Sequence, residues 1–114
     1  MDILGILKII AALMTAATGL LAFLRPKSIE GFTGLTAPGA RGITEFRAVF
    51  GGLFIAIGAA VLALNDPAAY ALLGWGYLGI FLFRLGSMVY DKSFEQSNYI
   101  SLATEIVLGV ILIL

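Results

Sequence analysis

The chain has 114 residues, 61% of them apolar and 12% charged, with seven basic and seven acidic side chains and a formal net charge of zero. A soluble domain is about half apolar and a quarter charged, so this composition excludes an ordinary water-soluble fold, and the charge balance offers no footing for a nucleic-acid partner. With neither Cys nor His present, disulfides, thiol catalysis, zinc-type sites and His-ligated haem drop out together and no cofactor is expected; the three scattered Met read as packing residues.

Four apolar segments follow one another: Ile3–Leu24, Ile43–Leu64, Ala68–Val89 and Tyr99–Leu114. At about 1.5 Å per residue the first three are long enough to cross roughly 30 Å of hydrocarbon. The fourth matches them if it starts near Ser93 or Ser97, and the capping-box spacing of Ser93 and Gln96 favours the earlier start. Lipid offers backbone groups no water, so each span is expected to be a helix. The predicted fold is all-α, a four-transmembrane-helix antiparallel bundle in one domain, with helices over about 3–24, 43–64, 68–90 and 95–114 and a loop over 25–42.

Segment one has one trait of a signal peptide, Lys8 ahead of an apolar run. Asp2 spoils a basic leader, however, and the run continues to Leu24, so it reads as a retained first helix. In the connection 25–42, Gly31, Gly34, Gly39 and Gly42 with Pro26 and Pro38 break any continuous helix. It reads as a solvated hairpin connection in which Phe32 and Leu35 are apolar enough to touch the bundle or the headgroups. Asn65-Asp66-Pro67 is a tight turn, with Asp66 at the N-cap and Pro67 at the first helical position.

Arg25, Lys27, Arg41, Arg47, Arg84 and Lys92 fall toward the end carrying the two polar loops, and only Lys8 toward the other. The positive-inside rule then places those loops in the cytoplasm and both termini outside. Tyr70 and Trp75 suit one interface, Tyr90 and Tyr99 the other.

Charges within the spans are the informative feature. Glu45, Arg47, Arg84 and Glu105 sit at similar depth, and a lone charge at a helix centre costs about 2.5–3.5 kcal/mol on insertion scales. Two acids and two bases are therefore expected to face inward and pair. Glu45 and Arg47, two apart, point to different sides, so they are expected to bridge to other helices: Glu45 to Arg84 and Arg47 to Glu105, or with partners exchanged. Tyr77, Arg84 and Asp91 recur at seven-residue spacing with Ser87 one turn from Arg84, forming one polar stripe in which Asp91 is a second acceptor for Arg84. Such a cluster is either a neutral network fixing helix register or a binding or proton-handling site.

Small residues mark close packing. Ala48, Gly52, Ala56 and Ala60 form an i, i+4 ladder beside Gly51; Thr15 pairs with Gly19, and Gly109 shares a stripe with Glu105. Gly51-Gly52 lies inside a helix and is no phosphate loop, and no nucleophile–base–acid set can be assembled. Glu45 and Glu105, flanked by arginines, are expected to stay ionised instead of working as an acid–base pair.

Three blocks together, Glu45-Phe46-Arg47-x-x-Phe50-Gly51-Gly52, then Phe83-Arg84-Leu85-x-Ser87-x-x-x-Asp91, then Glu105 with its apolar tail, resemble an uncharacterised family of small bacterial four-helix integral membrane proteins. The likeness spans nearly the whole chain. It implies a multi-pass protein of the bacterial inner membrane, groups Glu45, Arg47, Arg84, Asp91 and Glu105 as family-type positions, and supplies no substrate. The expected function is non-enzymatic: an accessory or interaction subunit packing among membrane lipids in a larger membrane complex or homo-oligomer. The alternative is binding or transport of a small anionic or lipid-like molecule through an Arg-lined cavity on the cytoplasmic side.

Overall fold

A computed structural model describes residues 2–114; over them the protein is 86% helical and has no strand. The helices are α1 (Ile3–Leu24), α2 (Ser28–Thr33), α3 (Gly39–Leu64), α4 (Pro67–Asp91) and α5 (Gln96–Ile113). Among the described residues four helices, α1, α3, α4 and α5, are long and apolar enough to cross a membrane. Contacts gather in two compact units, Ala12–Leu64 and Met1–Ala11 with Asn65–Leu114.

In the unit Ala12–Leu64, α1 and α3 meet backbone to backbone. A Cβ built on Gly19 would lie 2.6 Å from the Gly51 carbonyl oxygen, and one on Gly58 would lie 2.8 Å from the Ala16 nitrogen. Residue numbers rise along α1 as they fall along α3, from Ala12 opposite Gly58 to Phe23 opposite Gly51, so this pair is antiparallel. Lipid tails are as apolar as any side chain, and close approach gains its dispersion contacts only where side chains are small.

The middle of α3, Phe46–Leu53, is a π-helix, a rare form with i→i+5 hydrogen bonds. Five residues of ordinary α-helix turn through about 500°, which would set Phe46 and Gly51 on different flanks. The wider π turn brings both to the buried side, where Gly58 and Val61 continue the face. Phe46 and Phe50 rest edge to face with ring centroids 5.6 Å apart. The expected ladder Ala48, Gly52, Ala56 and Ala60 is exposed along its whole length and does not pack within this unit. A residue adjacent to Gly51 in an α-helix lies about 100° around the axis from it, so the ladder lies on an outer flank. Gly51 is the buried glycine of the pair.

The connection 25–42 is also more structured than a solvated loop. It holds α2, which ends at Gly34 in the left-handed region (φ 77°), where the Gly34 N–H donates to the Glu30 carbonyl. The Glu30 carboxylate accepts from the Ala37 N–H at 2.9 Å. That staple lets α3 start at Gly39, ahead of the expected Ile43. Phe32 and Leu35 remain about half exposed.

In the other unit, the turn into α4 is built as its residues predict. The Asp66 carboxylate accepts from the Ala68 N–H at 2.7 Å, Pro67 opens the helix, and Asn65 (φ 46°) accepts from the buried Tyr70 hydroxyl at 3.1 Å. Lys92 (φ 54°) ends α4 with its N–H donating to the Met88 carbonyl. The early start for the last helix is not realised, since α5 begins at Gln96 behind Glu95. The Ser93 hydroxyl, expected to cap a helix, instead donates to the Glu95 carboxylate and accepts from Asn98 Nδ2.

Helices α4 and α5 cross at glycines. A Cβ on Gly74 would come within 2.9 Å of the Gly109 carbonyl oxygen, and one on Gly109 within 2.6 Å of Leu78 Cδ2. With Arg84 opposite Glu105 and Asn98, this pair too is antiparallel.

Candidate functional site

Arg84 and Glu105 form the buried polar feature of the α4–α5 unit. Nε of Arg84 donates to both Glu105 carboxylate oxygens (3.0 and 2.9 Å), and Nη2 lies 2.8 Å from Oε2. Nη1 donates to Asn98 Oδ1 at 3.0 Å. The carboxylate side chain is only 8% exposed and the guanidinium side chain 32%. Seven residues separate Asn98 from Glu105, about two helical turns, so both lie on the α5 face turned to Arg84. A charge-assisted side-on fork of this kind fixes the guanidinium plane as well as its position.

The other expected members lie elsewhere. Glu45 pairs with Arg41, one turn earlier on α3, and both are exposed, at 52% and 78%. Arg47 donates from Nε to the Phe23 carbonyl at 3.1 Å. The last carbonyls of a helix lack partners within it, and α1 ends one residue later, so Arg47 closes that terminus. In place of the expected bridges from Glu45 to Arg84 and from Arg47 to Glu105, Glu45 takes a partner one turn away, which costs less side-chain ordering than one on another span, and Arg47 takes an open carbonyl at the end of α1. Asp91 is not the second acceptor for Arg84; Asn98 is. Tyr77 is half-buried on α4, and Ser87 and Asp91 are exposed.

Beside the ion pair, a groove of about 640 Å³ runs along α4. Trp75 and Asp91 mark its extremes, 16 residues apart, or about 24 Å along a helix. Its apolar stretch is lined by Trp75, Ile80 and Phe83, with Gly76 and Gly79 between them. No atom lies within 4 Å of a Cβ built on either glycine, so here glycine leaves open space, unlike Gly74 and Gly109. The other end is polar: Arg84, Ser87, Asp91, Ser93 and Asn98.

The electrostatics of that end are asymmetric. Of the five guanidinium N–H groups, Glu105 and Asn98 engage three, and two remain for a ligand in the groove that Arg84 lines. The Asp91 carboxylate makes no hydrogen bond or ion pair to the described residues, and it is exposed. The site therefore has a cationic donor with spare capacity and, seven residues further on, an uncommitted carboxylate.

Sequence reasoning missed Asn98, Ser93 and the glycine floor. The seven-residue spacing of Asn98 and Glu105 was available as a signal, as was the three-residue spacing of Gly76 and Gly79. Among the described residues no cluster of three or more Asp or Glu side chains is placed to hold a metal ion. No protein-family model, no curated protein and no solved structure matches the chain; the resemblance to a bacterial four-helix family rests on its three residue blocks alone.

Proposed function

We propose that the protein is a non-enzymatic four-span membrane protein that binds a lipid-like amphiphile in the α4 groove. A phosphate or carboxylate of the ligand takes the two spare N–H groups of Arg84, and its acyl chain lies over Gly76, Gly79, Ile80 and Phe83. The antiparallel pairs cross a bacterial inner membrane with the 25–42 and 92–95 connections in the cytoplasm, because the basic residues gather at that end. One observation carries this reading: a partly exposed guanidinium, held from behind by Glu105, stands at the head of an apolar groove. A pair serving only to lock helix register has no need of an open side.

Trp75, the one tryptophan in the chain, lines the groove and reports its occupancy. In detergent micelles, phospholipid with brominated chains is expected to quench Trp75 saturably. Gly79→Leu adds a Cβ that meets nothing within 4 Å and carries its remaining carbons into the groove, so it is expected to abolish the saturable phase while leaving unfolding close to wild type. Arg84→Lys, which keeps a positive charge opposite Glu105 and loses the planar fork, is expected to weaken binding about tenfold. Linear, unsaturable quenching identical in wild type and Gly79→Leu rejects the reading.

A second reading, an accessory subunit of a membrane complex or a homo-oligomer, is favoured by the exposed ladder Ala48, Gly52, Ala56 and Ala60. Small residues turned outward on a span offer close approach to another helix. The chain has no native cysteine, so Gly52→Cys gives a single crosslinking position. A defined crosslinked species from native membranes supports this role; monomer alone rejects it.

A further inference from the structure

We infer that the ligand of the α4 groove is a zwitterionic phospholipid whose headgroup carries a primary amine, with its phosphate on Arg84 and its ammonium on Asp91. This rests on the groove reading above and goes further by selecting the head. Two charged side chains line the groove, Arg84 and Asp91. The Arg84 charge is already matched by the buried Glu105 carboxylate, while Asp91 is exposed and without a partner among the described residues. A purely anionic head placed on Arg84 therefore shares the groove with an unbalanced carboxylate about two turns away, and like charges repel.

A head with a phosphate and a protonated amine reverses that sign. The phosphate takes the spare Arg84 N–H groups, and the ammonium presents three N–H donors to a carboxylate that accepts but never donates. Arg84 and Asp91 lie seven residues apart, on one face of α4, and line the same groove. Arg84 reaches toward the α5 start through Asn98, which bonds Ser93, two residues from Asp91. The guanidinium is thus drawn along α4 toward the carboxylate. A quaternary amine keeps the charge but has no N–H to donate, and a glycerol head has no positive charge at all.

The test uses the full-length protein in micelles and Trp75 quenching by three phospholipids with identical brominated chains and different heads: ethanolamine, choline and glycerol. The ethanolamine lipid is expected to saturate at about fivefold lower mole fraction than the other two, the scale of an exposed ion pair of about 1 kcal/mol. Asp91→Asn is expected to remove that advantage, bringing the three lipids together. Gly86→Ala on the same helix, outside the groove and facing open space, is expected to keep it. Glycerophosphoethanolamine, a head without chains, is expected not to displace the lipid.

If the glycerol or choline lipid binds as tightly as the ethanolamine lipid in wild type, or if Asp91→Asn leaves the preference intact, the head assignment is overturned while the groove reading stands. Displacement by the chain-free head overturns the lipid assignment in favour of a small soluble ligand. Absence of saturable quenching by any of the three overturns both.

Discussion

The two units hold apolar helices together by different means. In Ala12–Leu64 the joint is backbone on backbone, at Gly19, Gly51 and Gly58, and the charged residues Arg41, Glu45 and Arg47 are exposed around it. The α4–α5 unit has an equivalent glycine crossing at Gly74 and Gly109, yet it also carries a buried carboxylate and its guanidinium partner. The first unit shows that a glycine crossing suffices to fasten two helices. Burying Glu105 beside a second such crossing adds a desolvation cost that fastening does not require. That cost is the physical reason to treat Arg84–Glu105 as a site and the other unit as scaffold.

The largest effect separating the units is removal of one member of the pair. Glu105→Leu leaves a partly buried guanidinium uncompensated and is expected to destabilise the fold by about 3–5 kcal/mol, whereas the double substitution R84M/E105M is expected to stay within about 1 kcal/mol of wild type. Unfolding in mixed micelles by titration with a denaturing detergent measures both. Singles no worse than the double mean that the two groups are not closed on each other, and the comparison between units collapses.

Next in size is the glycine crossing. Gly19→Val and Gly58→Val push a branched side chain into backbone atoms already within 3 Å of a Cβ and are expected to cost about 1–3 kcal/mol or more. Gly76→Ala and Gly86→Ala meet nothing within 4 Å and are expected to be neutral or stabilising by up to about 1 kcal/mol through helix propensity. The same unfolding measurement ranks all four. Equal costs for the two classes contradict the crossing geometry.

These contrasts also show what was legible in the chain. Length and apolarity gave four candidate spans, because hydrocarbon thickness fixes helix length, and the Asp66-Pro67 turn followed from capping chemistry. The ladder Ala48, Gly52 and Ala56 was read at 3.6 residues per turn, and a π-helix through Phe46–Leu53 breaks that period. No local propensity announced it; packing of Gly51 against Phe23 and Gly19 requires it. Matching depth brought four charges into one expected network, but depth leaves azimuth open. Glu45 and Arg47 found partners at Arg41 and Phe23, while Arg84 and Glu105 found each other. The groove was illegible for a different reason. Glycine at close approach and glycine at open space are the same letter, and only coordinates separate Gly74 from Gly76.

A smaller effect tests the scaffold unit. Arg47→Met keeps the length of the side chain and removes its bond to the Phe23 carbonyl. The contact is exposed, so the expected loss is about 1 kcal/mol, below the usual range for a charged hydrogen bond, with faster amide exchange in the last turn of α1. Arg41→Gln, breaking an exposed i, i+4 pair with Glu45, is expected to change stability by less than about 0.5 kcal/mol.

The smallest effect lies in the connection into α5. The Ser93 hydroxyl, donating to the fully exposed Glu95 carboxylate, is the main cause holding that group below its ordinary value of 4.5. A lowered carboxyl titration means the folded form favours the ionised state. Whatever stability this bond contributes is therefore complete above the ordinary value and is lost as pH falls through the lowered one. Side-chain carbonyl NMR is expected to give a Glu95 midpoint below 4.5, which Ser93→Ala returns upward. Ser93 also accepts from Asn98, whose carbonyl oxygen holds Arg84. Protonating Glu95 takes the charge out of one of the two bonds that orient this serine and weakens it, so the Arg84 Nη1 resonance is expected to shift along the same titration curve. A curve confined to Glu95 means that the connection and the ion pair are independent, and that the rigidity of Arg84 comes from Glu105 alone.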